Sequence, residues 1–299
     1  MPPLNVSTPQ QFRQNGKMTE EDEMFLTMEV NDLKELEEKA KAAKFKTQVV
    51  WRNVGLYVLL QTGATIGLYQ LFFTAKWLSV AWVIILWMVS GVGITAGPHR
   101  LWSHKSYKAK TPLKIILMFM NCVAFQNDVI EWSRDHRCHH KWTDTDADPY
   151  YLPLVFIFCF LLPTATAVFL WGESVWIAFC TAALFRYCLN LHATWFINSA
   201  AHTFGYKPYD VAIKATESML TTLTAWGEGG HNYHHTFPQD YRTSEMLGVF
   251  NFSRLFIDFF AKIGWAYDLK TVDEKTIQRQ MGRQLERLKE EEKKNSRAA

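Results

Sequence analysis

The sequence predicts an all-α, four-span integral membrane protein, in which two helical hairpins carry a helical cap on one side of the bilayer. Four long stretches dominated by apolar residues predict the spans, and polar or charged residues at both ends of the chain predict what lies outside them. Of the 299 residues, 48% are hydrophobic and 20% are charged. The mean hydropathy of −0.11 averages the apolar middle with the charged ends and therefore hides the spans.

The first hairpin is predicted from two stretches. Residues 49–74 are almost wholly apolar after Arg52 and Asn53, and residues 77–97 contain no charge. Each stretch reaches the roughly 20 residues that a helix needs to cross the hydrocarbon core of a bilayer. Only Ala75 and Lys76 separate them, so we expect two spans joined by a tight turn.

The second hairpin is predicted further along the chain. Residues 152–171 carry no charge, and Pro163 near the middle predicts a bend. Residues 175–201 form the fourth span, interrupted by Arg186 and His192. The alternative for this pair is two buried helices in a large soluble core, but four such segments in tight hairpins favour a bilayer.

Two hairpins place both termini and the histidine-containing segments on one side of the membrane. The other side holds two short loops, in which Lys76 is the single basic residue, so the Lys/Arg excess predicts that the larger side is cytosolic. The predicted parts are a polar cytosolic N-terminal segment (1–46), a membrane domain (47–270) with a cap from residues 98–150 and 202–270, and a charged, solvated cytosolic tail (271–299).

Two apolar segments of the cap are too short or too polar to span. Residues 111–125 are predicted to lie on the membrane face or dip into it. Residues 246–265 mix phenylalanines with charges at helical spacing, which predicts an interfacial amphipathic helix. The net charge of +3 gives no reason to expect nucleic acid as a partner.

The histidines form the sequence motifs that indicate a chemical function. The chain has ten, and nine lie on the cytosolic side or at the cytosolic end of a span. Two of the motifs are HxxHH, which places imidazoles on one face of a helix. A structural zinc site takes only four ligands, so nine candidates indicate two metal ions. The nine are His99, His104, His136, His139, His140, His202, His231, His234 and His235.

The alternative is that these histidines cluster by chance on a surface or in a core. We apply that interpretation to His192, which lies alone inside the fourth span, but not to three spaced clusters and His202. The zinc-hydrolase motif HExxH, which supplies a general base beside its ligands, does not occur. The pattern therefore favours a metal centre of another kind.

Four strings resemble those of the integral-membrane acyl-CoA Δ9 desaturases, the stearoyl-CoA desaturase family. They are GITAGPHRLWSH, NDVIEWSRDHRCHHKWTDTDADP, ATWFINSAAHTFGYKPYD and GEGGHNYHHTFPQDYR. The resemblance covers about residues 49–270. It implies an endoplasmic-reticulum enzyme with two irons in a cytosolic cap, which uses O2 and electrons from cytochrome b5 and its NADH-dependent reductase. The product would be a cis double bond between carbons 9 and 10 of a saturated C16 or C18 acyl-CoA.

The resemblance also implies roles for single residues. The nine histidines match the family's iron ligands, and Asn198 matches a residue that reaches one iron through a water. Trp132, Thr194 and Trp195 match the bend of the acyl tunnel. Asn53, Asn127, Arg134 and Asp135 match contacts to the CoA head. Trp87 matches the closed end of the tunnel, where a bulky residue predicts a preference for palmitoyl over stearoyl chains.

One departure from the family leaves alternatives open. Family members carry several tens of residues between the DADP string and the third span, whereas here the span begins directly after Pro149. The missing segment normally covers the acyl tunnel and grips CoA phosphates. A working desaturase is one hypothesis. A non-catalytic variant that pairs with full-length desaturase is the second, and a histidine-box hydroxylase is a third, disfavoured by NSAAH and DADP. A homo-oligomer is compatible with all of them.

Overall fold

The computed structural model describes residues 49–129, 132, 133, 136, 151–244 and 248–298. By their contacts, Met1–Val54 form one unit and Gly55–Ala299 form a second. Of the first unit, the described part is the beginning of a helix, on which Asn53 is exposed. The predicted polar segment, residues 1–46, lies outside the described residues.

Four helices in the described part of the chain are long and apolar enough to cross a membrane, as predicted. These spans are Trp51–Phe73, Trp77–Ser103, Pro153–Trp171 and Val175–His202. Short turns join the first span to the second and the third to the fourth. The second span continues well past its predicted end at residue 97, and this extension carries His99.

The cap contains shorter elements. Its helices are Thr111–Ala124, Met219–Thr224, His231–Thr236, Phe252–Lys262 and Glu274–Ala298, with a 3₁₀ turn at Gly248–Phe250. Two-residue strands, Lys108–Ala109 and Ala266–Tyr267, pair antiparallel and add a small sheet to the otherwise helical fold.

Both predicted interfacial segments form helices that pack on protein along one side. Leu113 and Leu117 of Thr111–Ala124 are fully buried and share a hydrophobic cluster with Ile257 of Phe252–Lys262. On the opposite side of the helix Phe252–Lys262, Leu255 and Phe259 are exposed. This helix is therefore amphipathic, as its sequence predicts.

Three spans change from α-helical to π-helical geometry. The π segments are Thr95–Ser103, Phe156–Leu161 and Phe179–Phe185. A π-turn is wider than an α-turn, so it disturbs the regular ladder and leaves carbonyls for other donors. Pro163, where a bend was predicted, lies at the start of the α-helix Leu162–Trp171, directly after the second of these segments.

Arg186 hydrogen-bonds to carbonyls of two of these π-helical segments. Its fully buried guanidinium donates to the carbonyls of Cys159 and Val123, at 2.7 Å each, and to Ala182 of its own helix at 3.2 Å. A charge inside a membrane domain is costly unless polar groups surround it. Arg186, the charge that interrupts the apolar sequence of the fourth span, therefore links the third span, the fourth span and Thr111–Ala124 by hydrogen bonds.

Hydrogen bonds join the two hairpins at the end opposite the histidines. The ammonium of Lys76 donates to the carbonyls of Trp171 and Gly172, at 2.8 and 2.6 Å. The backbone N–H of Lys76 and the hydroxyl of Ser79 donate to one oxygen of Glu173, at 2.9 and 2.5 Å. Gly172 has φ +65°, a left-handed conformation that glycine adopts without strain. Both connecting turns are thereby held together.

The C-terminal segment is not solvated throughout, which corrects the prediction for residues 271–299. It forms the helix Glu274–Ala298. Its Ile277 is fully buried in a cluster with Tyr209 and Tyr233, and Met281 packs against the same cluster. Apolar residues four apart share one face of a helix, so a narrow apolar stripe inside a charged segment is enough to dock it.

We expect Ile277→Ala to destabilise the protein, because it removes buried methyl groups from the cluster that contains Tyr233 of the helix His231–Thr236. A buried Ile→Ala substitution costs about 2–5 kcal/mol. The matched control is Leu285→Ala in the same helix, since Leu285 is 53% exposed. Thermal unfolding of both variants in detergent measures the difference, and equal shifts in the midpoint would contradict docking of this helix.

Candidate metal centre

The π-helical end of the second span brings His99 and His104 together. The backbone N–H of His104 donates to the carbonyl of His99 at 3.1 Å, an i→i+5 hydrogen bond. In an α-helix, residues five apart point in different directions, because each residue turns the chain by about 100°. In the wider π-turn the two rings approach, with centroids 5.0 Å apart.

The helix His231–Thr236 supplies three histidines. Its i, i+3 and i+4 spacing places His231, His234 and His235 close to one another. His234 turns toward the second span, and its Nε2 lies 2.9 Å from Nε2 of His99. His231 and His235 turn toward the end of the fourth span, where His202 lies.

Seven histidines thus form two groups. Within each group, the ligand nitrogens all lie within 4.8 Å of one another. The first group is His99, His104, His136 and His234, and the second is His202, His231 and His235. Of the remaining predicted ligands, His139 and His140 lie outside the described residues. His192 belongs to neither group and bonds to Gln61 through its Nε2, at 3.0 Å.

The distances between ring nitrogens fit metal coordination. Nε2 of His104 lies 2.9 Å from that of His136, and Nε2 of His231 lies 2.9 Å from that of His202 and 3.1 Å from that of His235. Ligand nitrogens about 2.1 Å from a metal ion and about 90° apart lie about 3.0 Å from each other. Two all-imidazole groups suit zinc, copper, iron or nickel.

A buried ion pair supports the first group. Glu228 lies 3.8 Å from Nδ1 of His99, and its other oxygen accepts from Arg100 at 2.6 Å. Arg100 is fully buried and also donates to Thr243, Asn251 and the carbonyl of Tyr241. A carboxylate that accepts a hydrogen bond from a metal-binding histidine fixes the orientation of its ring, and Glu228 lies next to His99 at slightly more than that distance. Neither Arg100 nor Glu228 was predicted from the sequence, although both adjoin a histidine motif.

Asn232 and Asp240 hold the His231–Thr236 helix in place. The Asn232 side chain accepts from the backbone N–H of Tyr209 and Asp210 and donates to two carbonyls. Burial alone would raise the pKa of Asp240. Hydrogen bonds from Arg242, from the backbone N–H of Val272 and from Tyr233 outweigh burial, so the pKa of Asp240 lies below its usual range. Asp240 therefore stays a carboxylate and keeps these three partners.

A cavity of about 530 Å³ reaches both histidine groups. Eight of its seventeen lining residues are hydrophobic, and apolar atoms make up most of its surface. His99 and His136 from the first group and His231 from the second also line it. Gln126 and Thr194 hydrogen-bond to each other at 2.8 Å on one wall. A long apolar chain with few polar demands suits such a cavity.

Four of the predicted substrate contacts, Asn127, Trp132, Thr194 and Trp195, line the cavity, as does Asn198, the residue predicted to reach a metal through a water. Asn53 is exposed and is not among the residues that line the cavity. Trp87 does not line it and packs against Trp226, which does, with ring centroids 5.3 Å apart. Arg134 and Asp135 lie outside the described residues. Trp226 and Gln126 were not predicted from the sequence, although each directly precedes one of the four family strings.

Comparison with known proteins finds long similarities, although no protein-family model matches the chain. It is 48% identical over 302 residues to "Delta(9)-fatty-acid desaturase fat-5" of Caenorhabditis elegans, covering 86% of this chain and 91% of the relative. It is 45% identical to "Acyl-CoA Delta-9 desaturase" of Acheta domesticus, covering 83% and 82%. It is 44% identical to "Stearoyl-CoA desaturase" of Capra hircus, covering 77% and 76%.

The alignments also show residues that this chain lacks. The alignment with the nematode relative runs over 302 positions but takes in 86% of 299 residues, which is about 257, so about 45 positions have no counterpart here. The same arithmetic for the cricket relative, 295 positions against 83% of the chain, leaves about 47. A gap of this size agrees with the segment that the sequence suggests is missing after Pro149.

Proposed function

The chain belongs to the acyl-CoA Δ9 desaturase family, and from this membership we propose that it inserts a cis double bond between carbons 9 and 10 of a saturated C16 or C18 acyl-CoA. One observation carries the proposal: a largely apolar cavity is bordered by histidines of both groups. An acyl chain in this cavity passes both groups, which is what a reaction at a methylene in mid-chain requires.

The chemistry follows from the substrate. An unactivated methylene has no acidic proton, so acid–base catalysis by side chains cannot reach it. Two irons bound by the nine histidines, with Asn198 contributing through a water, would supply activated O2 for the removal of two hydrogens. No carboxylate replaces a histidine in either described group.

The protein's own side chains position the reacting parts. Trp132 stacks on His136, with centroids 4.8 Å apart and planes 15° from parallel, and so restricts that ring. The Glu228 carboxylate lies beside His99, 3.8 Å from its Nδ1. Gln126 and Thr194 hydrogen-bond to each other and to the carbonyl of Asn190, which lets this wall face an apolar chain without exposing unpaired groups.

Further parts of the proposal come from family membership. Electrons arrive from cytochrome b5 and its NADH-dependent reductase, and the protein lies in the endoplasmic-reticulum membrane with both termini in the cytosol. Asn53, Asn127, Arg134 and Asp135 contact the CoA head. Since the segment that normally grips CoA phosphates is missing, we propose that the acyl chain contributes a larger share of the affinity.

The non-catalytic alternative is not favoured. A protein that no longer catalyses a reaction does not need seven histidines arranged in two compact groups. In the described residues, the ligand nitrogens of each group lie within 4.8 Å of one another. The hydroxylase alternative differs only in the outcome of the reaction, and the relatives named above are desaturases.

Expression in a host without its own Δ9 desaturase tests the function. With cytochrome b5 and its reductase present, we expect new 9-cis C16 or C18 fatty acids, and none from a His139→Ala control. Gas chromatography of total fatty acids measures both. Membrane-inserted protein that yields no such product would overturn the proposal, and hydroxylated acids would favour the hydroxylase.

A further inference from the structure

Trp226 occupies an unusual position beside the cavity. It lies in the turn between Met219–Thr224 and His231–Thr236, it is 2% exposed, and its side chain forms part of the cavity wall. Its ring lies against the second span at Gly91, where any Cβ would overlap the indole. Gly91 precedes His99 by eight residues, which is about 12 Å along a helix. Trp226 therefore fills space well inside the membrane domain.

The surroundings hold the indole of Trp226 firmly. It belongs to a buried cluster with Ala193 and Ala225, against which Trp87 and Ile197 pack. Trp87 packs against Trp226 but does not itself line the cavity. The predicted end residue, Trp87, thus supports the wall and does not form it.

The backbone at Trp226 is strained. Its φ of +54° lies in the left-handed region, which bulky side chains rarely adopt, and Gly227 follows with φ +96°. The indole N–H groups of Trp226 and Trp87 are both buried, and neither meets an acceptor among the described residues. Strain and unpaired donors persist where the surrounding structure enforces them, and they concentrate at functional sites.

We propose that Trp226 closes the membrane end of the cavity and sets the length of the acyl chain, an inference that rests on the proposed function. If carbons 9 and 10 lie at the metal centre, the six further carbons of a C16 chain, or the eight of a C18 chain, extend toward Trp226. The indole leaves room for the shorter chain. Trp87 acts on length only by holding Trp226 in place.

The test is competition between equimolar palmitoyl-CoA and stearoyl-CoA, with the ratio of C18 to C16 products as readout. We expect the parent to favour C16 and Trp226→Val to raise the ratio by about tenfold or more, the range that one or two methylenes command in a pocket. Trp87→Ala should raise it less. Gly91→Ala, which displaces the indole toward the cavity, should lower it.

Trp82→Val is the matched control. Trp82 lies in the same span as Trp87, but it bonds to Pro163 and packs on Trp171, away from the cavity, so its ratio should equal the parent's. If Trp226→Val does not accumulate as folded protein, Trp226→Phe should move the ratio in the same direction by less.

The outcomes separate this inference from the proposed function. A parent that yields no product from either substrate would overturn the function itself. A productive parent whose ratio is unchanged in the Trp226 variants would overturn the inference alone. A shift in Trp87→Ala that matches or exceeds the shift in Trp226→Val would assign the length limit to Trp87, as the sequence predicted, and would also overturn it.

Discussion

Replacing His234 with alanine is expected to abolish desaturation and to lower the bound metal to at most about one ion per chain. His234 is 2% exposed, and its Nε2 lies 2.9 Å from that of His99. It joins the histidines of the second span to the helix that supplies the second group. Removing it leaves the first group with three described donors and a gap beside the cavity.

His192→Ala is the matched control for His234→Ala. His192 is a histidine of the same chain that belongs to neither group and bonds to Gln61. Metal analysis of purified protein should show full content in this variant and reduced content in His234→Ala. Equal metal content in the two variants would show that the described groups do not bind metal.

Arg100→Leu should produce the largest loss of stability. The guanidinium is fully buried, and its removal leaves the Glu228 carboxylate without its 2.6 Å partner. Breaking a buried ion pair on one side costs about 3–5 kcal/mol. The expected result is a large fall in the thermal midpoint of the metal-loaded protein in detergent, together with weaker metal binding through His99.

Two comparisons test the reason for that loss. Arg254→Leu removes a partly exposed arginine, 3.5 Å from Asp258, and should cost at most about 1 kcal/mol. Adding Glu228→Leu to Arg100→Leu should restore part of the lost stability, since the uncompensated charge is then gone. A double variant as unstable as the sum of the single variants would contradict a direct pair.

The spans and the histidines were predictable because they depend on local composition and spacing. Twenty apolar residues indicate a membrane helix wherever they occur, and HxxHH indicates a shared face. The π-helical geometry at His99 and His104 was not predicted, because the expected periodicity of a membrane span is α-helical. Their spacing of five residues is the signal that would have indicated a wider turn.

Other features depend on tertiary contacts that no local pattern reports. Trp226 was missed because its position follows from Gly91, which lies more than a hundred residues earlier in the chain. The docking of the C-terminal helix was missed because overall charge hid the apolar pair Ile277 and Met281. Glu228 was missed because its role depends on the buried Arg100.

The helix His231–Thr236 contributes to both histidine groups, and this has a consequence for biosynthesis. Neither group is complete until residue 235 has been made and this short helix has docked. The ligands from the second and fourth spans must wait through the synthesis of most of the cap. We therefore expect metal insertion to be a late event, after both hairpins have been synthesised.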